Sequence, residues 1–188
     1  MTSILRVLVS AVLVLTFADV RAASEQVATG ADLQSLIKAF VGTWTLSVKF
    51  EPSPGAPKGV EGHGEETWRA AAGDLTLADE ESFAAGSMKM NILGLFWTDR
   101  KTHELHALDC NNQNPHTCGL QDAIDGVAVH WSGKELTVDE KESGPDGKPM
   151  ISRIVWSNIT PASFVETGYF GPPGGPFKKG MTITATRK

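Results

Sequence analysis

The sequence specifies an all-β protein, an antiparallel barrel of about eight to ten strands entered by one short helix. Three observations point there. Segments of alternating apolar and polar residues recur from residue 44 to residue 187, clusters of turn formers separate them, and a single stretch near residue 31 has helical spacing instead.

The helix comes first. Leu33, Leu36, Ile37, Phe40 and Val41 fall on one helical stripe, Asp32 suits the first turn, and Gly42 stops the run. A single amphipathic helix needs a larger apolar surface to cover its stripe. Trp44, Leu46, Val48 and Phe50 then alternate with Thr45, Ser47 and Lys49, which is the pattern of a half-buried strand. Further strand segments are expected at 60–71, 75–84, 88–98, 103–110, 120–124, 127–131, 135–142, 150–156, 164–170 and 181–187. The breaks carry turn chemistry: Gly73-Asp74, Asp99-Arg100-Lys101, Asp125-Gly126, Ser132-Gly133, Gly144 to Gly147 and Gly171 to Pro176. A helix followed by a meander favours a barrel over a sandwich, because the helix can plug one end.

The N-terminus predicts export. Arg6, an apolar run from Val7 to Phe17 and the small-residue step Val20-Arg21-Ala22 are ordered as in a secretory signal peptide, 1–22, followed by a small polar tether, 23–30, and one barrel domain, 31–188. The apolar run is too short to span a bilayer, so no membrane span is expected and the mature chain should be soluble, secreted or periplasmic. Cleavage near Ala22 removes two basic residues and one acidic residue, taking the net charge from −5 to −6. An acidic chain without a stripe of Lys and Arg is not built for nucleic acid.

Cys110 and Cys118 enclose a polar loop. In an exported chain this spacing reads as one local disulfide, which the chain-entropy model values at roughly 2.5 kcal/mol.

Gly42-Thr43-Trp44 after a short helix, the long meander and Arg187 in the last strand resemble the lipocalin-like (calycin) superfamily. Within it, the Gly94-Leu95-Phe96-Trp97-Thr98-Asp99 segment and the Thr-rich strand at 181–187 are similar to a bacterial secreted group, domain of unknown function 1579. The resemblance implies an up-and-down lipocalin-like β-barrel with a lumen, in which Trp44 closes the floor and Arg187 lies over it, both structural. It implies no activity.

Each chemistry-bearing residue also has an ordinary structural use. His103 and His106 are three apart, so on a strand they point to opposite faces and cannot share a metal ion. A lone His106 or His130 could ligate haem iron as in haem-binding barrels of this superfamily, but a hydrogen-bonded histidine is commoner; no cofactor and no metal are expected. Asp79 and Glu81 share a strand face about 7 Å apart, a spacing glycosidases use. Such runs more often form solvated strand edges. Ser35-Leu36-Ile37-Lys38 matches S-x-x-K without its partner motifs, and no nucleophile elbow, phosphate loop or H-E-x-x-H occurs, so no catalytic residues are assigned.

What remains is a lumen. Gly62 and Gly64 leave space on one strand face that continues into Glu66 and Trp68, a polar group among aromatics. The expected function is binding of a small hydrophobic or amphipathic molecule by Glu66, Trp68, Met90, His106 and Trp131, at the end of the barrel away from Trp44. Two alternatives stay open: an enzyme with a lumen acid-base group, and an envelope interaction module with a filled core.

Overall fold

Residues 30–53, 56–112, 127–143 and 147–188 are described here from a computed structural model. The helix α1 spans Ala31–Phe40 and leads directly into β1, Gly42–Phe50. Nine strands follow: β2 Val60–Ala71, β3 Thr76–Ala85, β4 Met88–Thr98, β5 Leu105–Asn111, β6 Val127–Trp131, β7 Leu136–Ser143, β8 Pro149–Ser157, β9 Ser163–Gly171 and β10 Lys178–Arg187. They form one antiparallel sheet in the order β5-β4-β3-β2-β1-β10-β9-β8-β7-β6. Every strand pairs with its sequence neighbour except across the β5–β6 connection, and β1 pairs with β10. The edge strands β5 and β6 lie in contact, so the sheet curls into a nearly closed up-and-down barrel. Among the described residues no helix is long and apolar enough to cross a membrane.

Side-chain chemistry accounts for the turns. At 98–105 the Asp99 carboxylate accepts hydrogen bonds from the backbone N–H groups of Lys101 and Thr102 at 2.7 and 2.8 Å, an Asx-type turn that delays β5 to Leu105. Gly86, at φ 60°, lets β3 and β4 join through two residues. The expected segment 120–124 and Cys118 lie outside the described residues.

The helix plugs one end. Leu33, Leu36 and Phe40 are fully buried, whereas Val41, counted on the same stripe, is exposed because the chain has already left the helix there. Phe40 stacks on Trp68 with ring centroids 4.7 Å apart and meets Phe164 edge-on at 5.3 Å. Trp44 donates its indole N–H to the Phe40 carbonyl at 3.0 Å. Beneath it the Arg187 guanidinium lies 4.1 Å from the Trp44 ring and donates to the carbonyls of Pro161 and Val41 at 2.6 and 2.7 Å. Gly42 is needed at that point, since a Cβ would occupy the place of the Arg187 guanidinium. The Gly-x-Trp step is thus a floor device.

Gly62 and Gly64 answer to a close approach of backbone and not to lumen space. A Cβ at either position would overlap the backbone of β3, at the carbonyls of Ala84 and Ser82.

Candidate functional site

Inward parity is set by the buried apolar residues. On β2 the inward series ends Glu66, Trp68; on β3 it runs Leu77, Asp79, Glu81, Phe83; on β9 it runs Phe164, Glu166, Gly168. The same alternation carries Ala107 to Asp109 on β5 and Leu136 and Val138 to Glu140 on β7. Carboxylates from five strands therefore meet inside the barrel.

They form a belt between two apolar layers. Below it is the aromatic floor around Phe40, Trp68, Phe96 and Trp156; above it Phe50 and Phe83 pack at 6.1 Å, with Met90 against the same cluster. Glu66 is 1% exposed, Glu166 4%, and Asp79 and Glu81 5% each. Glu66 stands directly across β2 and β3 from Glu81, and Asp79 is cross-strand from Trp68 and from Gly94. Gly94 makes room for it, since a Cβ there would lie 3.3 Å from the Asp79 Cβ.

The belt lacks compensation. Among the described residues no Lys, Arg or His is buried, and no donor group reaches either oxygen of Glu66, Asp79 Oδ1, Glu81 Oε1 or Asp109 Oδ1; the Glu66 and Asp79 carboxyls instead lie close enough to share a proton. The indole N–H groups of Trp68 and Trp156 stand beside Glu66 and Glu166 and favour their charged forms, without reaching hydrogen-bond geometry. Burial dominates: it pushes Glu66, Asp79 and Glu81 well above the ordinary carboxylate range, and the charges of neighbouring carboxylates push the same way, while the contact between the Glu66 and Asp79 carboxyls raises Glu66 and partly holds Asp79 down. Glu166 is raised to about 8 by burial and then by Asp109. Burial likewise raises Glu140 to about 8, with Asp109 and Glu142 adding to it, and Asp109 to about 6 against an opposing hydrogen bond from Asn111.

A cavity of about 80 Å³ lies at this level, lined by Asp79, Glu81, Asp109, Glu140 and Glu166 and by the apolar Ile92, Phe96, Val138, Ile154, Trp156 and Met181. A larger depression of about 810 Å³ lies toward the outside of the wall, where Arg69 pairs with Glu80, and belongs to the solvated surface.

The residues singled out from the sequence separate into two groups. Glu66 is in the belt. Trp68 and Trp131 are inside but at the helix end, both packed on Phe40, so the expected placement at the end away from Trp44 is corrected: they build the floor. Met90 faces inward opposite Phe83 in the upper apolar layer. His106 is not in the lumen. It lies on the outward face of β5, stacked on its cross-strand partner Trp97 with centroids 5.6 Å apart, because Ala107 and Asp109 take the inward parity. Asp79 and Glu81, read as a solvated edge, are buried in the lumen, and their alternation with Leu77 and Phe83 was the signal that placed them there. Cys110 is at the end of β5, and its expected partner is outside the described residues.

No protein-family model and no curated protein matches the sequence. Two solved structures share the fold. Rv2717c from M. tuberculosis is 11% identical, with 85% of this chain and 99% of that one covered and a TM-score of 0.53. The S-type phycobiliprotein lyase CPES from Guillardia theta is 10% identical, with 84% and 93% covered and a TM-score of 0.50. At these identities the likeness concerns architecture alone: an antiparallel, nearly closed up-and-down barrel with one short N-terminal helix.

Proposed function

We propose that the protein is a small-ligand-binding barrel whose ligand brings a positive charge into the lumen. The observation that carries this reading is the belt of buried carboxylates with no buried cation among the described residues. Several like charges cannot remain ionised together in an apolar interior, so an empty lumen must hold protons, and a cation that replaces them relieves the same repulsion. The ligand is compact. About 80 Å³ is well below the roughly 300–1,000 Å³ of sites for drug-sized molecules, so an extended lipid does not fit, whereas a few heavy atoms do. An amphipathic ligand would place its charged group at Asp109, Glu140 or Glu166 and its apolar part against Ile154, Trp156 and Met181.

We further infer membership of the secreted group called domain of unknown function 1579, from the motifs at Gly42 to Trp44, Gly94 to Asp99 and 181–187, and with it export after cleavage near Ala22. An acid-base enzyme on this scaffold would have to use the cavity carboxylates, Asp109 and Glu140 among them, since His106 faces outward.

The test compares n-butylamine, n-butanol and butyrate by tryptophan fluorescence and ligand-observed NMR. The amine should bind at least about tenfold more tightly than the alcohol, equivalent to about 1.4 kcal/mol. Equal binding of all three, or preference for butyrate, contradicts the reading.

A further inference from the structure

The belt contains one set of side chains closer together than the rest. One carboxylate oxygen from each of Glu66, Glu81 and Glu166 lies within 4.8 Å of the other two. We propose that these three residues form a binding site for a divalent cation of Ca2+ or Mn2+ size. The inference rests on the reading that the lumen takes up positive charge, and goes beyond it by naming the ion class and its ligands.

Geometry supports the size. Three oxygens at the corners of a triangle with 4.8 Å edges stand about 2.8 Å from its centre, close to the roughly 2.3–2.6 Å of calcium–oxygen bonds; magnesium, at about 2.0–2.1 Å, needs a larger contraction. Glu66 and Glu81 are held as direct cross-strand neighbours on β2 and β3, while Glu166 comes from β9, cross-strand from Trp156 and Ile183. The ligands thus arise from rigid strands of separate parts of the wall. The donor set is all carboxylate, with no buried His or Cys among the described residues, which is the chemistry of hard cations.

A cluster of acids alone would not require a ligand. Here a separate side chain, Asp79, is 5% exposed, lines the adjoining cavity and has an unpartnered Oδ1. No donor group reaches either oxygen of Glu66, whose neighbour is the Asp79 carboxyl, although a buried carboxyl normally accepts hydrogen bonds. The cavity lined by Glu81 and Glu166 has room for several water molecules, which would complete a coordination shell larger than three.

The experiment uses the full chain, freed of metal with a chelator. Ca2+ or Mn2+ should raise the melting temperature by several degrees with one ion bound per chain by calorimetry. Tb3+ should luminesce on tryptophan excitation, through Trp68 and Trp156, and Ca2+ should displace it. Glu66→Gln and Glu166→Gln should each weaken binding at least about tenfold. Glu65→Gln, on the outer face one residue away, should leave it unchanged. Melting curves of all variants establish that they fold. Absence of any Ca2+, Mn2+ or Tb3+ response in the wild type overturns the proposal, and so does equal loss of binding in Glu65→Gln, which would indicate surface binding. If n-butylamine binds and the metals do not, the metal site fails while the cationic-ligand reading stands. If neither binds, both fail.

Discussion

Glu66 and Glu81 face each other across β2 and β3, each no more than 5% exposed, with no buried basic residue among the described residues to offset them. A pair of like charges in this setting opposes folding. Replacing such groups by neutral residues of similar volume is commonly neutral or stabilising. Glu66→Gln is therefore expected to stabilise the ligand-free protein by about 1–3 kcal/mol at neutral pH, measured by thermal or denaturant unfolding. A loss of stability on this scale would show that the carboxylate is compensated within the protein itself.

Stability should fall as the pH rises. Glu140 titrates at about 8 in the folded chain against an ordinary 4.5, and Asp109 at about 6 against 3.8. Between the ordinary and the raised values the native state holds more protons than the unfolded one, so the stabilisation is complete below about pH 4 and is lost through pH 8. Asp109, Glu142 and Glu140 face one another in this region, and all shift upward. Calorimetry of the ligand-free protein should show a melting temperature that declines from pH 5 to pH 8, with a shallower decline in Glu140→Gln. A melting temperature that rises over this interval contradicts the assignment.

The floor should be separable from the belt. Arg187 covers Trp44 and ties the carbonyls of Val41 and Pro161, so Arg187→Ala removes a cation–π contact and two charged hydrogen bonds. A cost of about 2–4 kcal/mol is expected, with Arg187→Lys recovering only part, since an ammonium lacks the planar fork. Cation binding, measured by calorimetry on the folded fraction, should not change.

Gly64→Ala should be damaging although it adds a single methyl group. The Cβ would collide with the Ser82 carbonyl in a sheet that cannot yield locally. A loss of about 1–3 kcal/mol is expected from chemical denaturation. A neutral result would mean that the glycine was leaving lumen space after all.

The architecture was legible because strand period and turn chemistry are local. The alternation at Trp44, Leu46 and Val48 matches β1, and Gly86 and Asp99 mark real turns. β10 begins three residues before the expected 181, where a register irregularity between Lys179 and Met181 hides the alternation. Of the belt carboxylates, Glu66 is the one that the sequence reading places in the lumen. Asp79, Glu81, Asp109, Glu140 and Glu166 share parity with buried apolar neighbours, but each alone looks like a surface acid; only barrel closure brings β3, β5, β7 and β9 around one lumen. His106 lies outside the lumen expected for it because its neighbours Leu105 and Ala107 take the inward face.

The central claim, that the lumen is an uncompensated acid belt awaiting a cation, is tested most directly by carboxyl-13C NMR titration of the protein with and without bound cation. The expected result is that Glu66, Glu81 and Glu166 titrate well above 4.5 in the ligand-free protein and shift to lower pH when a cation binds. Titration of all three near 4.5 in the ligand-free protein, with no change on adding cations, would contradict it.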